Sequence, residues 1–161
     1  MAFSTGEIYA TAFTTTVKES SFHYTLSIIQ SEHSAKRIHA KEVFPGHFAF
    51  EVMEEVLQKD MTLCAALHIG NLGTHTLEEV IRICIDIPLT LPECDKEVDE
   101  RFRCRVFLKQ CIRALDEAGI IKCADADAVV NGELKTCAKE NGPGILDGSG
   151  KFVVKKSNIS S

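Results

Sequence analysis

The chain has 161 residues, 45% of them apolar and 25% charged, with a formal net charge of −5. That length suits one domain with a real core, expected over 1–161 with its core at about 8–140 and a tail from 141 onward. The negative charge argues against a nucleic-acid partner, and basic residues cluster only locally, at Arg101, Arg103 and Arg105 and at Lys151, Lys155 and Lys156.

In chain order, residues 8–17 alternate loosely and are rich in threonine and aromatics, which predicts a strand. Polar residues 18–21 read as a turn. Residues 22–29 form a second strand, with Phe22, Tyr24, Leu26 and Ile28 on one face and His23, Thr25 and Ser27 on the other. A polar hairpin loop over 31–36 leads to a third strand, 37–44, which carries His39, and Pro45-Gly46 breaks it. Residues 48–57 and 61–69 read as two further strands, although the first also matches a helical period. After a loop at 70–73, Thr74 or Thr76 caps a helix to about Cys84, with Glu78 and Glu79 in its first turn.

Residues 86–95 carry two prolines and read as a connector. The strongest helical pattern runs over 98–118 and stops at Gly119, with a stripe of Cys104, Phe107, Leu108, Cys111, Leu115 and Ala118. A further helix is predicted over 125–139, a glycine-rich loop over 141–150 and a last strand over 151–156. Strands first and helices later predict an α+β fold, an antiparallel sheet with a core helix that carries a cysteine.

No run of about 18 apolar residues exists, so no membrane span is expected. Residues 1–7 lack the basic and apolar regions of a signal peptide, and neither terminus carries a lipidation box. Seven cysteines, mostly in apolar runs, read as free thiols of a cytoplasmic protein. No Cys-x-x-Cys pair occurs and the six histidines show no ligand spacing, so no metal site and no cofactor are expected. Gly70-Asn71-Leu72-Gly73 lacks the length and lysine of a phosphate loop.

The residues with the most chemical content are Cys104, His23 and His39. A thiol attacks as the thiolate. A helix N-terminus and the arginines at 101, 103 and 105 favour that anion, while Glu97, Asp99 and Glu100 oppose it, so the sequence leaves the sign open. A neighbouring imidazole would supply the base, and a polar group on its far nitrogen would fix its tautomer. The bland alternatives are a core cysteine on an apolar stripe and a polar-face strand histidine. His23 and His39 share a face if their hairpin loop has three or five residues and lie on opposite faces if it has two or four. The sequence leaves both registers open.

In this order the motifs Phe22-His23-Tyr24, Arg37-Ile38-His39-Ala40, His68-Ile69-Gly70 and Arg103-Cys104-Arg105-Val106-Phe107, running to Ala118-Gly119-Ile120, resemble the circularly permuted papain-like (NlpC-type) superfamily. Lecithin:retinol acyltransferase-like enzymes belong to it, and a group of small filamentous-fungal proteins resembles the chain more closely. The resemblance spans about residues 20–121. It implies Cys104 as nucleophile, His23 as base, His39 as its orienting partner, and Tyr24, Arg103 and Arg105 at the substrate. Tyr24 stands where those families have Trp, and Arg103 where they have Asn or Asp. The expected function is cysteine-dependent acyl-group chemistry, hydrolase or acyltransferase, on a small-molecule or peptide substrate. The alternatives are an inactive binding module of the same fold and a cyclase or isomerase pocket for a fungal natural product.

Overall fold

The computed structural model describes residues 3–15 and 21–161. The fold is α+β: a six-stranded mixed sheet with three α-helices. The strands are β1 (Glu7–Thr14), β2 (Phe22–Ser31), β3 (Ser34–Phe44), β4 (His47–Glu55), β5 (Leu63–Asn71) and β6 (Val153–Lys156), in the sheet order β4-β3-β2-β1-β5-β6. The helices are α1 (Leu77–Ile85), α2 (Cys104–Glu117) and α3 (Lys135–Leu146).

The sheet is antiparallel except at one edge, where β6 runs parallel to β5. This corrects the expectation of an antiparallel sheet: the chain passes through the helical layer and returns to the sheet from the same end. Residues 48–57 resolve as the strand β4, and Pro45-Gly46 forms the turn between β3 and β4. Thr76 is the cap of α1, its side chain accepting from the Glu79 N–H.

The strand alternation divides two clusters. Ala10, Tyr24, Leu26, Ile38 and Leu67 face the helices and pack with Phe107, Leu108, Ile112 and Leu115 of α2. Phe107, Leu108 and Ile112 are at most 1% exposed, and burial of each such side chain contributes about 1.5–3 kcal/mol. On the other face Tyr9, Phe13, Ile29 and Ala35 pack with Phe3 and with Leu57 from the β4–β5 connection. Between these lies a buried polar patch. Thr11, Thr25 and Ser27 are fully buried, and Ser27 Oγ donates to Glu55, which Arg37 Nε also meets at 2.8 Å.

Helix α2 begins at Cys104, six residues later than the predicted start at 98. The preceding acidic segment is held instead by ion pairs to α2, described below, and does not wind. Gly119 ends the helix at φ 76°, the left-handed conformation that glycine adopts freely. The predicted helix at 125–139 starts as a π-helical stretch (Ala128–Leu134) and continues as α3 to Leu146. The expected loop at 141–150 is therefore helical for its first half, despite Pro143. Residues 16–20, which hold the end of the first predicted strand and most of the turn predicted at 18–21, lie outside the described residues.

A candidate thiol–histidine site at an open strand seam

β2 pairs with β1 along its whole length to Phe22, and β3 pairs with β4 to Phe44. The pairing of β2 with β3 stops at Leu26 and Ile38. The sheet therefore opens as a seam between residues 22–25 and 39–44, and α2 packs against both flanking strands. Cys104 is the first residue of α2, at the seam.

His23 and His39 flank this seam from one face. The β2–β3 turn is only Glu32-His33, which by loop length would put the two histidines on opposite faces. A bulge between Ile29 and Ser31 adds one residue to β2 and restores the shared face. His23 Nε2 lies 2.6 Å from His39 Nδ1, and His39 Nε2 lies 2.8 Å from Glu51 Oε1.

The carboxylate can only accept, so His39 donates from Nε2 and, when neutral, accepts at Nδ1. His23 then donates from Nε2 and keeps its lone pair on Nδ1. The chain Glu51–His39–His23 thus ends in an imidazole with a free acceptor nitrogen. Burial pushes the His23 pKa down to about 4, aided by repulsion from His39 and Arg37 and opposed by Glu51. Burial lowers His39 as well, against its hydrogen bond to Glu51. The hydrogen bond from His39 and the nearby Lys41 hold Glu51 below its ordinary value. Glu51 was not singled out from sequence. It is the direct cross-strand partner of His39, a pairing legible only once the β3–β4 register is known.

Burial raises the Cys104 pKa. It is opposed by the backbone N–H groups of Tyr24 and Arg105 and by the charges of Arg105 and Arg103. The Tyr24 N–H belongs to the peptide that joins His23 to Tyr24, which sets the thiol beside the histidine's own backbone. Cys104 and His23 also line one cavity of about 210 Å³. No hydrogen bond joins the two side chains. Burial thus disfavours both the thiolate of Cys104 and the imidazolium of His23.

Arg103 takes the position before the helix with extended backbone (φ −159°, ψ 176°) and makes no side-chain cap. The first amide N–H groups of α2 are therefore not capped by it. Tyr24 is buried, with its face against the helical layer, while His23 points the other way. Tyr24, Arg103, Cys104 and Arg105 line a second cavity of about 380 Å³ together with Ser21, Phe22, Lys135 and Lys139.

Beneath the site lies an ion cluster that the sequence reading missed. Lys109, fully buried, meets Asp95 at 2.8 Å, Asp99 at 2.7 Å and Asp127 at 2.9 Å. Asp99 also binds Arg105 at 2.5 Å, and Asp95 binds Arg113 at 2.8 Å. The three carboxylates stand close enough to hold a cation, and the Lys109 ammonium fills that place. The signal was a lysine set among the apolar residues of α2. Asp99, counted from sequence as opposing the thiolate, is neutralised here.

The other histidines stay outside. His33 is exposed in the hairpin turn, and His75 Nδ1 binds Glu79 at 2.8 Å. All seven cysteines are free; Cys94 is exposed, Cys104 partly so and the other five buried.

Comparison with protein-family models, with curated proteins and with solved structures returned no match in any of the three. The class defined by fold and site is therefore an α+β domain with a thiol at a helix start beside a histidine–histidine–glutamate chain.

Proposed function

We propose that this chain carries out cysteine-dependent acyl-group chemistry in a permuted papain-like arrangement, with Cys104 as nucleophile and His23 as base. The observation that carries this reading is the Glu51–His39–His23 chain, which leaves His23 Nδ1 outside it, together with the cavity that His23 and Cys104 both line.

In the reaction, Cys104 Sγ attacks a carbonyl carbon as its proton passes to His23 Nδ1. The resulting imidazolium is stabilised through His39 by the Glu51 carboxylate. The carbonyl oxygen gains negative charge and meets the amides at the start of α2, which the Arg103 side chain leaves uncapped. Collapse expels the leaving group, which takes the proton back from His23, and leaves a thioester on Cys104. Water, or an amine or hydroxyl, then takes the acyl group and regenerates the thiol. Because burial disfavours both charged forms, proton transfer accompanies attack. Free thiols suit a reducing, cytoplasmic setting.

A second reading, a binding module of the same architecture, is favoured by the burial that disfavours the Cys104 thiolate and by the lack of a direct Cys104–His23 hydrogen bond. A p-nitrophenyl acetate assay separates them. The enzyme reading expects a burst of one equivalent of p-nitrophenolate and an acetyl group mapped to Cys104, lost in Cys104→Ala and slowed in His23→Ala. Acetylation spread evenly over the accessible cysteines, unchanged in His23→Ala, leaves the binding module.

A further inference from the structure

We propose that the larger cavity beside Cys104 is an oxyanion site, and that the ligand brought to the thiol carries a carboxylate or phosphate group. This deepens the acyl-transfer reading and rests on it for the role of the thiol, although the anion site stands on its own geometry.

The cavity holds about 380 Å³, within the size range of small-molecule sites. Four cations converge on it from two elements: Arg103 and Arg105 at the start of α2, and Lys135 and Lys139 on α3. Among the described residues, no acidic side chain lines it. Arg105 is already paired with Asp99, but among the described residues no carboxylate pairs with Arg103, Lys135 or Lys139. Arg103 Nε is moreover a buried donor with no partner among them. An unmade bond of that kind is costly, and a bound oxyanion would supply the missing acceptor.

Lys135 and Lys139 stand four residues apart on one helix face, a like-charge spacing that weakens a helix. Among the described residues neither forms an ion pair, and Asp99 acts on Lys135 only at a distance. Burial, with repulsion from Arg105 and Lys139, lowers the Lys135 pKa, as expected of a site whose balancing charge arrives with the ligand. The uncapped N-terminus of α2 adds its dipole in the same direction. Arg103 thereby acquires a role as an anion contact beside the nucleophile.

The test compares alkylation of Cys104 by iodoacetate, an anion, with alkylation by neutral iodoacetamide, each mapped by peptide mass. Glutathione in the same buffer gives the intrinsic ratio of the two reagents. The proposal expects the iodoacetate-to-iodoacetamide ratio at Cys104 to exceed that of glutathione by about tenfold, the effect of roughly 1.4 kcal/mol of attraction. Inorganic phosphate should abolish the excess saturably, and the double variant K135Q/K139Q should lose most of it. A ratio equal to that of glutathione, insensitive to phosphate, overturns the proposal. Should Cys104 resist both reagents, titration of inorganic phosphate against the Arg103 Nε–H NMR signal reads the site directly, and equal weak shifts in wild type and double variant count against it. An anion preference without the p-nitrophenolate burst keeps the site and removes the catalytic reading. A burst without the preference does the reverse.

Discussion

His39 stands between His23 and Glu51, with its Nδ1 2.6 Å from His23 Nε2. This contact fixes the tautomer of both rings, because the glutamate can only accept from His39 Nε2. Removal of the carboxylate should loosen the whole chain. In Glu51→Gln, the His39 and His23 pKa values should both fall, since Glu51 raises each of them. Imidazole NMR titration measures this directly. Unchanged His39 resonances would show that Glu51 does not polarise it.

Stability should decline on mild acidification because of His23. Its folded pKa of about 4 lies below the ordinary 6.5, so between those values the unfolded chain binds the extra proton. The contribution is complete above 6.5 and is lost as pH falls toward 4, with a ceiling of about 3 kcal/mol from a single group. Asp95 and Asp127 are held low by burial-opposing bonds to Lys109 and Arg113 or Asn131, so they act only below that window. Urea midpoints at pH 7 and pH 4.5 should differ less in His23→Asn than in the wild type. Equal differences would place the pH dependence elsewhere.

Lys109→Met should be severely destabilising. It leaves Asp95 and Asp99 buried with one of their cations gone, and breaking such a cluster costs about 3–5 kcal/mol. Asp127→Asn should cost much less, because that carboxylate is 37% exposed. Urea denaturation gives both values, and a Lys109→Met loss below that of Asp127→Asn would contradict the account.

Much of this fold is legible in residue pattern. Alternation placed β2 and its faces, Thr76 and the acidic first turn marked α1, and Gly119 marked the end of α2. The errors have local causes. A two-residue hairpin plus a bulge gives the same face sharing as a three-residue loop, and nothing in Gln30-Ser31 announces the bulge. The predicted start of α2 at 98 differs from the observed one because Asp95 and Asp99 bind the buried Lys109 further along the chain, a tertiary interaction that overrides local helix propensity. Of the site, Cys104, His23 and His39 carry sequence signals, whereas Glu51, Lys135 and Lys139 join them only through register and helix packing.

Gly70, in the motif His68-Ile69-Gly70, should tolerate no side chain. A Cβ there would stand 2.5 Å from Ile121 Cγ2 and 3.2 Å from the backbone of Ser161. Gly70→Ala should therefore lose about 1–3 kcal/mol by overpacking. A thermal melt at the wild-type midpoint would show instead that the 121–161 contact yields.

The most direct test of the central claim, that Cys104 and His23 act as one unit, is the pH–rate profile of Cys104 alkylation by iodoacetamide in wild type and His23→Ala. The account predicts a faster reaction at neutral pH in the wild type, by more than about tenfold as a positioned base supplies, with the profiles converging at high pH where the thiol ionises unaided. Superimposed profiles across the whole range would contradict it.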